Sequence, residues 1–222
     1  MKTTIIHGDH FEKSYEYFAN LVDGSRSKGF EIVTLSPKKN IREDLRASTL
    51  FADKRVFVLE DPKQLVKTDL EWLKKNLDGI EGYLLVYSKT DLGKTIIDKF
   101  GKAEVKVFTL PKLIFKFLDS FYPRNSTACL KILHELVQNE SVELVFAMLG
   151  RHLRDLYWTK IDSKSVLYPP WRVERLKSSS SKFANGQLER IIAKVAQADV
   201  AAKTGMSPLI SSLDMIIIKE LE

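Results

Sequence analysis

The stretch VKVFTLPKLIFKFLDSF, residues 105 to 121, changes rhythm in its middle. Val105-Lys106-Val107-Phe108 is β-branched and aromatic, as strands are. Past Leu110-Pro111, the residues Leu113, Phe117, Leu118 and Phe121 fall at helical spacing. The chain therefore divides here, into domains spanning 1–110 and 111–222.

Upstream of the break, short β-rich runs alternate with helical patterns. Strands are expected at Thr3–Ile6, Glu31–Leu35, Arg55–Leu59, Tyr83–Tyr87 and Val105–Phe108. The runs are mostly continuous in hydrophobicity, the pattern of strands buried on both faces. Between them a helix is predicted from Asp9 to about Gly24, with Asp9 as N-cap and Glu12 completing a capping box. A second helix is predicted over Thr68–Asn76. Strand–helix alternation at this spacing predicts a three-layer α/β domain with a parallel sheet.

Downstream, the β signal ends. Helices are expected over Lys112–Phe121, Ala128–Val137 and Val142–Trp158, then a short one opening at Trp171 after Pro169-Pro170. Asn185–Lys203 and Ser207–Leu221 complete an all-α bundle of five or six helices. The serine run Ser178–Ser181 reads as a loop or a helix start.

The composition is that of a globular protein: 222 residues, 44% hydrophobic and 29% charged, with a net charge of +6. A single cysteine, Cys129, excludes a disulfide framework within the chain and makes a reducing cytoplasm the default. The N-terminal apolar run is too short for a signal peptide, and no window reaches the length of a membrane span. The basic residues are scattered, in Lys38-Lys39, Lys74-Lys75, Arg151 with Arg154, and Arg172 with Arg175 and Lys177. Arg151 and Arg154 share a helix face, which could meet the phosphates of DNA or simply face water. Aromatic interleaving of the kind that stacks single-stranded bases is absent.

The chemical motifs fail in informative ways. After the first strand, His7-Gly8-Asp9-His10-Phe11-Glu12-Lys13-Ser14 ends like a P-loop. Glu12, however, stands where the second glycine belongs, and Asp9 and Glu12 would repel phosphate. Gly93-Lys94-Thr95 follows the fourth strand, but Ser88 stands at the first glycine, so a solvated helix start is the better reading. His7 and His10 lack the partners of a tetrahedral metal site and read as a strand-end and a helix-cap histidine. His134 and His152 read as surface or satisfied core residues. Cys129 lies in a core-like stripe with no local histidine, unlike a nucleophile. No catalysis and no cofactor are expected.

One pair stays unabsorbed. Leu50 and Phe51 precede a charged turn and the strand Val56-Phe57-Val58-Leu59. Adjacent residues on a helix point about 100° apart, so one face does not readily bury both. They either cover the sheet edge or, at a helix C-terminus, project together towards something else.

Several segments resemble one family. The first strand ending in Gly8-Asp9, and STLFADKRVFVLED (48–61), resemble the delta subunit of the bacterial DNA polymerase III clamp loader. FKFLDSFYPRNSTACLKILHELV, LVFAMLGRHLRDLYW, PPWRVERLKSSSSKFANGQLERI and QADVAAKTGMSPLISSLDMII resemble, in order, the helices of its C-terminal collar. The resemblance implies a RecA/AAA+-like first domain with a degenerate P-loop, then a collar through which loader ATPases associate. The family's small helical lid between the two is missing, because the fifth strand runs directly through Leu110-Pro111 into collar-like helices. In the family, a Leu-Phe pair enters a hydrophobic pocket of the sliding clamp and the nearby helix acts as a wrench on the ring. Carried over, this assigns Leu50 and Phe51 as anchors, with Ser48, Thr49 and Ala52 beside them. The resemblance thus implies a non-catalytic subunit that opens the clamp for loading on primed DNA, which it would meet indirectly, with no membrane partner. A small nucleotide-binding enzyme using Gly93-Lys94-Thr95 and a standalone DNA-binding protein are the alternatives.

Overall fold

Strand β1 (Lys2–His7) leads through a tight turn into α1 (Phe11–Ser27), and the alternation continues with β2 (Glu31–Leu35) and α2 (Ile41–Arg46). There follow β3 (Arg55–Glu60), α3 (Lys67–Asn76), β4 (Tyr83–Tyr87), the single turn α4 (Lys94–Ile97) and β5 (Ala103–Val107). The computed structural model describes residues 1–46, 55–164 and 166–222. It divides into two units, Met1–Leu110 and Pro111–Glu222.

The first unit holds one five-stranded sheet in the order β2-β3-β4-β1-β5, with every neighbouring pair parallel. Side chains alternate across a strand, and the core divides accordingly. Ile5, Phe57, Leu59, Leu84 and Val86 point to one face, where Ile41, Leu45 and Leu73 of α2 and α3 cover them. Ile6, Val56, Val58, Leu85 and Tyr87 point to the other, beneath Phe18 of α1. The ring of Phe18 stacks on Tyr87 at 4.7 Å between centroids. The expected three-layer parallel α/β architecture is present.

Details differ from expectation where tertiary context overrides local pattern. Double-sided burial holds for the central strands but not for β5, which forms an edge and leaves Val105 and Val107 exposed. Helix α1 starts at Phe11, not Asp9, because the Asp9 carboxylate accepts a hydrogen bond from the Leu110 amide at 2.7 Å. His10 takes the N-cap instead, its Nδ1 accepting from the Lys13 amide. The helix then runs past Gly24 to Ser27.

The second unit comprises α5 (Lys112–Ser120), α6 (Ser126–Leu136), α7 (Val142–Ile161), α8 (Pro170–Ser180), α9 (Gln187–Lys203) and α10 (Leu209–Leu221). Its axis is α7, started by Ser141, whose hydroxyl accepts from the Leu144 amide. The stripe Val145, Leu149, Leu153 and Leu156 is fully buried. Each such side chain contributes roughly 1.5–3 kcal/mol through burial. Also buried in this unit are Ile114 and Phe117 of α5, Cys129 and Leu133 of α6, Leu188 and Ile191 of α9, and Leu213 and Ile217 of α10. Polar ties hold the periphery. Lys194 of α9 pairs with Glu220 of α10, and the Lys160 ammonium donates to the carbonyls of Phe183 and Ala184.

The serine run lies at the end of α8, not in a loop or at a helix start. Ser180 and Ser181 donate their hydroxyls back to the carbonyls of Lys177 and Ser178, which lets polar side chains finish a helix. Among the described residues, no helix is long and apolar enough to cross a membrane.

Candidate functional site

Leu50 and Phe51, with Ser48, Thr49 and Ala52, lie outside the described residues. The elements that lead to and from them are firmly held. Ile41 and Leu45, one helical turn apart, bury α2 against the sheet. The Arg42 guanidinium pairs with Asp69 of α3 at 2.7 Å, and the Arg46 guanidinium lies 5.0 Å from the centre of the Trp72 ring. On the far side, Val56 to Leu59 sit in the middle of the core. The described elements on either side of these residues are thus packed into the first unit.

At the mouth of β1, the turn that resembles a P-loop is closed by the protein's own backbone. The Phe108 amide donates to the His7 carbonyl at 2.8 Å, and the His10 amide donates to the Phe108 carbonyl at 3.0 Å. The Lys13 amide is engaged by the His10 ring and the Ser14 amide by the His10 carbonyl. A phosphate cradle depends on uncommitted amides converging on the ligand. Here those of residues 10, 13 and 14 serve the fold. Gly8 shows how tight the closure is: its φ is 137°, and a Cβ there would lie 1.9 Å from the Phe108 carbonyl oxygen.

The other candidates take ordinary structural roles. Gly93 caps α4, with Lys94 and Thr95 exposed beside it. His7 is buried at the strand end and its Nδ1 accepts from the Leu92 amide at 3.1 Å. His134 lies on the surface, 3.0 Å from the Asp214 carboxylate. Burial raises the Cys129 thiol to about 11, so almost none of it is thiolate at neutral pH. Among the described residues, no cluster of His, Cys, Asp and Glu could hold a metal ion.

In the helical unit, Arg151 and Arg154 have different fates. The Arg154 guanidinium is bound to the buried Asp155 carboxylate at 3.0 Å. Asp155 also accepts from the Tyr168 hydroxyl at 2.9 Å and the Arg172 guanidinium at 3.3 Å. Arg151 makes no ion pair among the described residues and lines a cleft between α5, α7 and α8. Arg172 and Arg175 line the same cleft, Arg175 paired with Asp119. His152 lies there too, and burial pushes its imidazole below the usual histidine range, against the opposite pull of Asp119 and Asp155. This cleft was not legible in the sequence, because its charged residues come from three helices. The basic residues Arg151, Arg172 and Arg175 were visible in the sequence, but not their convergence.

Comparison with known proteins bears on the helical unit first. Residues 112–219 match the family described as DNA polymerase III delta subunit, C-terminal domain. The delta-like character read from the four collar-like segments is therefore matched over that half of the chain. Among solved structures, the Bacillus subtilis DNA clamp loader delta protein aligns at 15% identity and a TM-score of 0.46, covering 100% of this chain and 95% of that one. A DNA polymerase III gamma subunit-related protein from Thermotoga maritima aligns at 13% identity and a TM-score of 0.37, covering 98% and 93%. No curated protein matches.

Proposed function

We propose that this chain, whose helical unit matches the family of C-terminal domains of DNA polymerase III delta subunits, binds the sliding clamp and favours its open form. Leu50 and Phe51 are the anchors in this reading, flanked by Thr49 and Ala52, and they enter an apolar pocket on the ring. The helical unit, residues 111–222, joins the ATPases of the loader. Primed DNA is met indirectly, through the clamp.

The observation that carries the reading is the family match over residues 112–219. The chemistry of the first unit agrees with it. A turn whose amides are engaged by Phe108 and His10 is poorly suited to hold a triphosphate. The work assigned to this chain is accordingly mechanical. A protein shifts a ring between closed and open forms only by its difference in affinity for the two. ATP hydrolysed by partner subunits would then reset the cycle. The alternative enzyme would have to use Gly93-Lys94-Thr95, where α4 offers a single exposed turn. For direct DNA binding by Arg151 and Arg154, Arg151 alone of the two is without an ion pair among the described residues, since Arg154 is held by Asp155.

Affinity-tagged chain recovered from its native cell is expected to bring down the sliding clamp and the loader ATPases together. Recovery of the chain with neither, under salt that preserves a loader complex, contradicts the reading.

A further inference from the structure

The cleft in the helical unit has a composition that points to a ligand of its own. It encloses about 260 Å³ between α5, α7 and α8. That is ample for a large side chain, since a cavity of about 150 Å³ already holds a benzene ring. Phe115, Leu118, Met148 and Leu176 supply an apolar wall, and Trp171, 68% exposed, stands at the rim.

The charges are arranged unevenly. Arg172 shares the Asp155 carboxylate with Arg154 and Arg175 pairs with Asp119, which leaves Arg151 as the guanidinium in the wall without a carboxylate among the described residues. An apolar hollow with one unmatched guanidinium suits a ligand that brings one large apolar group and one carboxylate. An Arg fork and a carboxylate make a strong two-point contact. A nucleic-acid strand suits it less, because a phosphate chain needs a track of uncommitted cations and the other two guanidiniums of the wall are engaged by carboxylates.

We propose that this cleft docks an acidic segment of a partner protein. One aromatic or large aliphatic side chain of the segment enters the hollow and a neighbouring carboxylate pairs with Arg151. The site lies within the helical unit and does not depend on clamp binding by Leu50 and Phe51.

The test uses the full chain and a fluorescein-labelled hexapeptide with two glutamates and one phenylalanine, read by fluorescence anisotropy. Saturable binding is expected, with loss of roughly tenfold or more when the peptide's phenylalanine becomes alanine or its glutamates become glutamine. Arg151→Glu should weaken the same peptide at least as much. It should leave the melting temperature unchanged, because Arg151 makes no ion pair among the described residues. A peptide with lysines in place of the glutamates should regain affinity for Arg151→Glu over wild type. Failure of the peptide to bind, or equal binding by wild type and Arg151→Glu, overturns the proposal. So does a single-stranded oligonucleotide that binds through Arg151 where the peptide does not.

Discussion

Replacing Leu50 and Phe51 together with alanine is expected to weaken clamp binding by more than about a hundredfold while barely moving the melting temperature. Fully burying one such side chain in a partner's pocket is worth roughly 1.5–3 kcal/mol. Removing two adjacent anchors should therefore cost about 3–6 kcal/mol of affinity, since such residues tend to dominate an interface. If they served the fold instead, each truncation would leave a cavity and cost about 2–5 kcal/mol of stability. That would lower the melting temperature by ten degrees or more, on the order of magnitude expected for a unit of this size. Melting and clamp titration on one double variant separate the two roles. A variant that melts early, or that binds the clamp like wild type, excludes the pair as clamp anchors.

The second large effect is expected at Gly8. Its φ of 137° is a backbone conformation that L side chains rarely adopt, and the new Cβ of Gly8→Ala would collide with the Phe108 carbonyl at 1.9 Å. Strain at such a φ costs on the order of 1–3 kcal/mol, and displacing the end of β5 adds a comparable overpacking cost. Gly8→Ala should accordingly lose about 2–6 kcal/mol in urea unfolding. Gly93→Ala is the matched control. Gly93 has a φ of −67° and nothing within 4 Å of its would-be Cβ, so its stability should change by less than about 1 kcal/mol. A Gly8→Ala protein as stable as wild type would mean that Phe108 does not close this turn, and the turn would again be a candidate phosphate site.

Much of the fold was legible because burial is written into local pattern. Glu31–Leu35 and Tyr83–Tyr87 are strands over the expected residues, and Lys112 opens the first helix after the break. The strand–helix alternation of the first unit depends on contiguous apolar runs, which a sequence displays directly. The misplacements share one cause, which is a contact made across the chain. Asp9 is an excellent N-cap by type, yet Leu110, 101 residues away, takes its carboxylate. Phe108 continues the β pattern of Val105 and Val107, yet its backbone is drawn off to close the turn after β1. Periodicity gave helix α2 no bounds, because its six residues, IREDLR, carry just Ile41 and Leu45 as apolar marks, and only the family resemblance implied a helix before Leu50 and Phe51.

The candidate sites divide along the same line. The Leu-Phe pair stood out as two apolar residues without a place in either periodic pattern, and the role proposed for them rests on a family resemblance. The cleft around Arg151 left almost no trace, because Asp119, Arg151 and Arg175 lie on three helices. Even the visible pair, Arg151 and Arg154, concealed its chemistry. One guanidinium is held by its sequence neighbour Asp155, a contact that spacing between basic residues does not reveal.

The most direct measurement of the central claim is a calorimetric titration of the chain against two forms of the sliding clamp, the closed ring and a variant whose subunit interface is broken. A subunit that opens the ring by differential affinity should bind the broken-interface form more tightly, by the free energy otherwise used to part the interface. Binding to both forms, tighter to the broken one and lost in the Leu50→Ala/Phe51→Ala chain, is the expected result. Equal affinity for the two forms, or no binding to either at about 100 μM, where association weaker than roughly 5 kcal/mol goes undetected, would contradict it.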